Sequence, residues 1–154
     1  MLHLGHLRYL EEAKRLGGPS SELIVVVARD HSVKTIKGKV PVFPERHRVT
    51  LVAGLKPVDR AVLGNEDPDK FKIIEELQPQ ILAIGYDQWV DLEQLREELE
   101  RRSLEKIQIV HLPKFEDELG SSTLIKERIA TIINQREKEN LGSGGVNRQE
   151  QRGG

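Results

Sequence analysis

Leu23-Ile24-Val25-Val26-Val27-Ala28 is the stretch on which the fold turns. Its apolar residues are continuous rather than alternating and mostly β-branched, the mark of a strand covered on both faces, as in a parallel sheet. Shorter runs repeat the pattern: Ala61-Val62-Leu63, Ile81-Leu82-Ala83-Ile84 and Ile107-Gln108-Ile109-Val110. Around them apolar residues recur at helical spacing, as in Leu7, Leu10 and Ala13 or Leu92, Leu95 and Leu99. This predicts helices over 5–16, 44–55, 68–77, 91–102 and 122–136. Strand alternating with helix predicts an α/β layered domain on a parallel sheet with right-handed crossovers.

A chain of 154 residues is long enough for one domain with its own core. That domain is expected over 1–136, followed at 137–154 by a disordered polar tail or an appended linker. The last stretch is rich in glycine and has only Leu141 and Val146 as aliphatics, too little apolar surface to offset its ordering entropy. Basic and acidic residues nearly cancel, 24 against 25, and aromatics make up 4%. Neither the electrostatic footprint of a nucleic-acid binder nor a base-stacking platform is expected. Without cysteine there is no disulfide, thiolate metal site or cysteine nucleophile, which suits a reducing cytoplasm. The amino terminus enters a charged amphipathic stretch with no signal core, and no apolar run approaches the length of a membrane span.

Ligands of open α/β sheets bind at the carboxyl ends of the strands, so polar clusters at loop-to-helix junctions are the candidates. His3-Leu4-Gly5-His6 puts two imidazoles on one side of a first helical turn, beside unpaired N–H groups and the positive end of the helix dipole. A phosphate fits there, with Gly5 allowing close approach. The alternatives are two solvated histidines or a two-histidine metal site, for which no third ligand is evident. Gly120-Ser121-Ser122-Thr123 precedes an apolar-periodic helix. It reads either as a plain N-cap or as a phosphate seat with Lys126 and Arg128 nearby. Gly85-Tyr86-Asp87-Gln88 follows a buried run, where Asp87 accepts bonds from a base or ribose or else initiates a turn. The basic loop Lys34, Lys37 and Lys39 leads to Pro44-Glu45-Arg46-His47-Arg48, either a solvated face or an anion site.

In this order, from His3 to about residue 132, the clusters resemble the cytidylyltransferase-like nucleotidyltransferases. Tyr9-Leu10-Glu11-Glu12-Ala13-Lys14, Val26-Val27-Ala28-Arg29-Asp30, Leu55-Lys56-Pro57-Val58-Asp59 and Gly85-Tyr86-Asp87-Gln88 make the chain most similar to the archaeal-type FAD synthases within that superfamily. The resemblance implies a Rossmann-like domain that transfers AMP from ATP to FMN, with Mg²⁺ arriving on the nucleotide. A CTP-dependent cytidylyltransferase acting on glycerol 3-phosphate and a non-catalytic nucleotide-binding module are the rival readings. It also implies that His3 and His6 donate to the transferring phosphate, that Ser121, Ser122 and Thr123 hold the outer phosphates, and that Asp87 faces the nucleoside. Gly5 and Gly85 would lie against the nucleotide, with Lys37 and Arg48 bracing triphosphate or acceptor. Such proteins often carry Arg where this chain has Lys126, and Arg128 stands two places on. They ordinarily have a strand and a Gly-Thr-Phe-Asp-type turn ahead of the HxGH, where this chain has only Met1 and Leu2, so a chain short of its first strand is expected. A homodimer is among the assemblies the sequence allows.

Overall fold

A computed structural model describes residues 2–67, 69–86, 91–114 and 122–143. Its elements run α1 (Leu4–Gly17), β1 (Ile24–Val27), α2 (Asp30–Lys37), α3 (Glu45–Ala53), β2 (Arg60–Leu63), α4 (Lys72–Leu77), β3 (Ile81–Ile84), α5 (Leu92–Arg101), β4 (Gln108–His111) and α6 (Ser122–Ser143). All four β-branched runs become strands, and they pair in parallel as expected of strands joined through helices. No helix among the described residues is long and apolar enough to cross a membrane.

Among the described residues the strands form two two-stranded sheets rather than the one sheet expected, β1 with β2 and β3 with β4. In the first, Ile24 lies opposite Arg60 and Val27 opposite Leu63; in the second, Ile81 lies opposite Gln108 and Ile84 opposite His111. The Leu23 carbonyl accepts from the Asp59 and Arg60 N–H groups, and the Val27 carbonyl accepts from Gly64 at 2.9 Å. Main-chain groups alternate in direction along a strand, so those of Ile24 and Val26 face away from β2. In β3 the Gln80 and Ile84 carbonyls serve β4, at 2.9 and 2.8 Å, which turns the Ala83 carbonyl outward. There the Tyr9 hydroxyl from α1 donates to it at 3.0 Å. A side chain thus takes the acceptor that a continuing ladder would have used.

Each sheet has its own apolar cluster. Leu10, Val27, Val52 and Val58 bury together around β1 and β2, with Tyr9 against them. Ile84, Leu95 and Leu99 do so around β3 and β4, with Phe71 and Ile74. Tyr9 therefore touches the first cluster with its ring and the second sheet with its hydroxyl.

Three elements differ from expectation. The basic stretch expected as loop contains α2, with Asp30 in its first turn, Lys34 and Lys37 in its last, and Gly38 closing it at φ 64°. Charges of that order complement the helix dipole, and glycine supplies the left-handed cap. Helix α4 starts late because the Asp67 and Asp69 carboxylates accept from the N–H groups of Asp69 and Phe71, both at 2.9 Å, holding turns ahead of it. The boundary drawn at residue 136 falls inside α6, which continues through Ser143. Glu137-Lys138-Glu139-Asn140-Leu141 contains mostly good helix formers, and the glycines begin only at Gly142. Residues 144–154 lie outside the described residues.

Candidate functional site

The orientation of α1 determines where its first turn lies. Lys14, in its second half, donates to the Ser21 carbonyl at 2.6 Å and pairs with Asp59, both just ahead of the strands. Leu10 reaches Val27, the last residue of β1. His3, roughly two turns earlier, therefore lies toward the carboxyl ends of β1 and β2. It is the extended N-cap of α1, at φ −151°, and its carbonyl accepts from His6 N–H at 3.0 Å. The His3 and His6 rings meet with centroids 3.9 Å apart and planes tilted by 55°. His3 is half-buried and His6 exposed, with Gly5 between them. Two imidazoles at the amino-terminal turn of a 14-residue helix, where the helix dipole is positive, form a donor set suited to an anion.

At the carboxyl ends of β1 and β2, four charged side chains interlock. Arg29 Nε donates to the Gly64 carbonyl at 2.7 Å, tying the two strand ends together, and its Nη1 reaches Glu45 Oε1 at 2.8 Å. Glu45 Oε2 accepts from the Asp30 N–H at 2.9 Å, while Asp30 Oδ2 accepts from the Glu45 N–H at 3.2 Å. Each carboxylate thus caps the helix that the other begins. Arg48 Nη2 donates to Asp30 Oδ1 at 2.7 Å, and its Nε to the Phe43 carbonyl at 3.1 Å. The Arg48 guanidinium, first of all, holds the Asp30 carboxyl below its ordinary range. Glu45 is lowered mainly by the Asp30 N–H and then by Arg29. Arg48, expected to brace phosphate, is thus also committed to holding the start of α2. Lys37 stands exposed in the last turn of that helix.

At the carboxyl ends of β3 and β4, Gly85 is buried and Tyr86 half-exposed, with Lys114 Nζ 5.9 Å from the Tyr86 ring centroid. Asp87 and Ser121 lie outside the described residues. Ser122, Thr123, Lys126 and Arg128 occupy the first two turns of α6. The closest backbone packing among the described residues is of β1 with β2, of β3 with β4, and of α3 with both strands of the first sheet.

The structure therefore joins His3 with His6, and sets Arg48 into a network with Arg29, Asp30 and Glu45 toward the same edge of the first sheet. No role was read from the sequence for Arg29, Asp30 or Glu45, although Arg29 and Asp30 belong to the Val-Ala-Arg-Asp stretch. The pairing of Tyr86 with Lys114 was also missed, since it depends on β3 lying beside β4.

The sequence pattern described as cytidylyltransferase-like matches residues 1–128. The chain belongs to the cytidylyltransferase-like family. Among its relatives, the FAD synthase of Ferroglobus placidus is 49% identical over 140 residues, 90% of this chain and 88% of the relative. The FAD synthase of Thermoplasma acidophilum is 43% identical over 136 residues, 88% of this chain and 92% of that one. Among solved structures, the protein described as a lipopolysaccharide core biosynthesis protein from Thermoplasma volcanium is similar at a TM-score of 0.68 and 43% identity, covering 75% of this chain and 90% of that one. The parallel pairs with helices between them are this family's architecture, as the sequence led us to expect.

Proposed function

We infer that this chain is an FMN adenylyltransferase, joining the AMP portion of ATP to the phosphate of FMN to make FAD and pyrophosphate. The carrying observation is identity of 43–49% with FAD synthases over about nine-tenths of both chains. The HxGH placed at the amino end of α1 agrees with it.

In this reading an FMN phosphate oxygen attacks the α-phosphorus of ATP, a new P–O bond forms, the bond to the β-phosphate bridge breaks, and the electron pair leaves with pyrophosphate. No covalent enzyme intermediate is involved, so catalysis consists of positioning and charge stabilisation. His3 and His6 donate hydrogen bonds to the transferring phosphate as charge moves toward the leaving group, helped by the dipole of α1. Ser121, Ser122 and Thr123 hold the outer phosphates with Lys126 and Arg128, Asp87 faces the nucleoside, Gly5 and Gly85 allow close approach, and Lys37 and Arg48 brace phosphate. A divalent cation, Mg²⁺ foremost, supplies charge neutralisation on the triphosphate; its usual ligands there are phosphate oxygens and water. The absence of cysteine fits a reducing cytoplasm.

The test is pyrophosphate release with ATP or CTP against FMN and glycerol 3-phosphate. ATP with FMN should be the efficient pair. Efficient CTP turnover with glycerol 3-phosphate while FMN is ignored would move the chain to the cytidylyltransferases, and ATP binding without release would make it a binding module.

A further inference from the structure

We propose that the surface running from the end of α2 to the start of α3, residues 36–43, is where the isoalloxazine ring of the acceptor docks; this rests on the reading that FMN is the acceptor. In this short span Ile36 is 67% exposed, Val40 74%, Val42 66% and Phe43 39%, and α2 buries none of its residues. Single exposed aliphatics need no explanation, but four large apolar side chains within one short stretch form a patch of the kind that marks a binding surface.

The patch is held in place rather than loose. The Gly38 N–H donates to the Lys34 carbonyl at 2.9 Å, and Arg48 Nε holds the Phe43 carbonyl at 3.1 Å. Asp30 and Glu45, capping each other's helices, fix both flanks. A ligand therefore meets a surface already ordered, so little binding free energy is lost to ordering it. Helix α2 begins at the carboxyl end of β1, the side toward which His3 and His6 lie, and after Phe43 the chain returns to Glu45, which is bonded to Asp30 at that same end.

Charge selects the occupant. Lys34, Lys37 and Lys39 lead into the apolar run Val40, Val42 and Phe43, and they form no ion pair among the described residues. A planar, largely apolar ring carrying a phosphate on a flexible arm matches both features, with ring against Val40, Val42 and Phe43 and phosphate against ammonium groups.

The experiment uses the full chain and two double variants, Val40→Ser with Val42→Ser, and Lys34→Gln with Lys39→Gln. All four positions are exposed, so melting temperatures should stay at the wild-type value. Steady-state KM is measured for FMN and for ATP, with riboflavin, which lacks the phosphate, as competitive inhibitor. The serine pair should raise KM for FMN and Ki for riboflavin by about tenfold, leaving KM for ATP within about twofold. The glutamine pair should raise KM for FMN and leave the riboflavin Ki unchanged. An unchanged KM for FMN in the serine pair overturns the proposal, as does a parallel rise in KM for ATP. Loss of a dimer by size exclusion with KM unmoved also overturns it, assigning the patch to a second copy of the chain. If the wild type releases no pyrophosphate with FMN, the functional reading fails by itself. Quenching of FMN fluorescence on titration with protein then decides the surface: binding weakened by the serine pair upholds it, and no binding overturns it.

Discussion

Replacing Leu99 by Ala probes the division of the core into two clusters. Leu99 is 1% exposed and sits with Ile84 and Leu95 between α5 and the second sheet. The change deletes about three methyl-sized groups, which at about 0.8 kcal/mol each is about 2.4 kcal/mol of lost burial. Incomplete collapse of the hole raises the total to about 3–5 kcal/mol. A domain of this size loses roughly 2–4 °C for each kcal/mol, so Tm should fall by about 10 °C. The distribution of the damage is more telling than its size. Leu10, Val27, Val52 and Val58 form a separate cluster and lose no neighbour to this substitution. Hydrogen exchange read by mass spectrometry at a temperature where the variant is folded should therefore show protection falling in β3, β4 and α5, while β1, β2 and α3 keep theirs. Equal loss on both sides would refute the reasoning and show that the two clusters open as one unit. A Tm lowered by less than about 3 °C would show that the site refills without a cavity.

His6→Ala should lower kcat for pyrophosphate release by about 10²–10³-fold with Tm unchanged, as when a preorganised anion donor is lost; near-normal turnover would remove His6 from the chemistry. Gly38→Ala meets no atom within 4 Å but needs φ 64°, so backbone strain alone should destabilise by about 1–2 kcal/mol in urea unfolding. The Asp30 and Glu45 carboxyls are both lowered in the folded chain, so the stability they add is complete above the ordinary carboxylate values of about 3.9 and 4.3 and fades as pH falls through the lowered ones. Tm measured from pH 7 down to 3 should therefore drop less steeply in Asp30→Asn with Glu45→Gln than in the wild type; identical slopes would refute the assignment.

Leu23-Ile24-Val25-Val26-Val27-Ala28 and its three counterparts were legible as strands because β-branched runs with flanking helical periodicity are local signals. How the strands divide into sheets was not, because it turns on contacts such as Tyr9 with Ala83, distant in sequence and marked by no spacing. Helix α2 escaped notice since Val33 and Ile36 are its only strong apolar residues, too few to show a period, and its dipole-matched charges read equally as a solvated loop. That His3 and His6 lie side by side was legible because both fall within one turn. The commitment of Arg48 to Asp30 was hidden, for the partner lies on a different helix.

The mutual capping of α2 and α3 makes the chain between them replaceable. Because Asp30 and Glu45 hold the helix starts by each other's amides, the distance between those starts is set without the intervening residues. Closing a loop between fixed ends costs only about 0.6 kcal/mol more for each doubling of its length. The connection after Gly38 can therefore be treated as an exchangeable cassette, provided that Arg48 still finds a carbonyl at its end. Grafting connections of other lengths and polarity onto one fixed frame becomes a route to altered acceptors that leaves the histidine pair where it is.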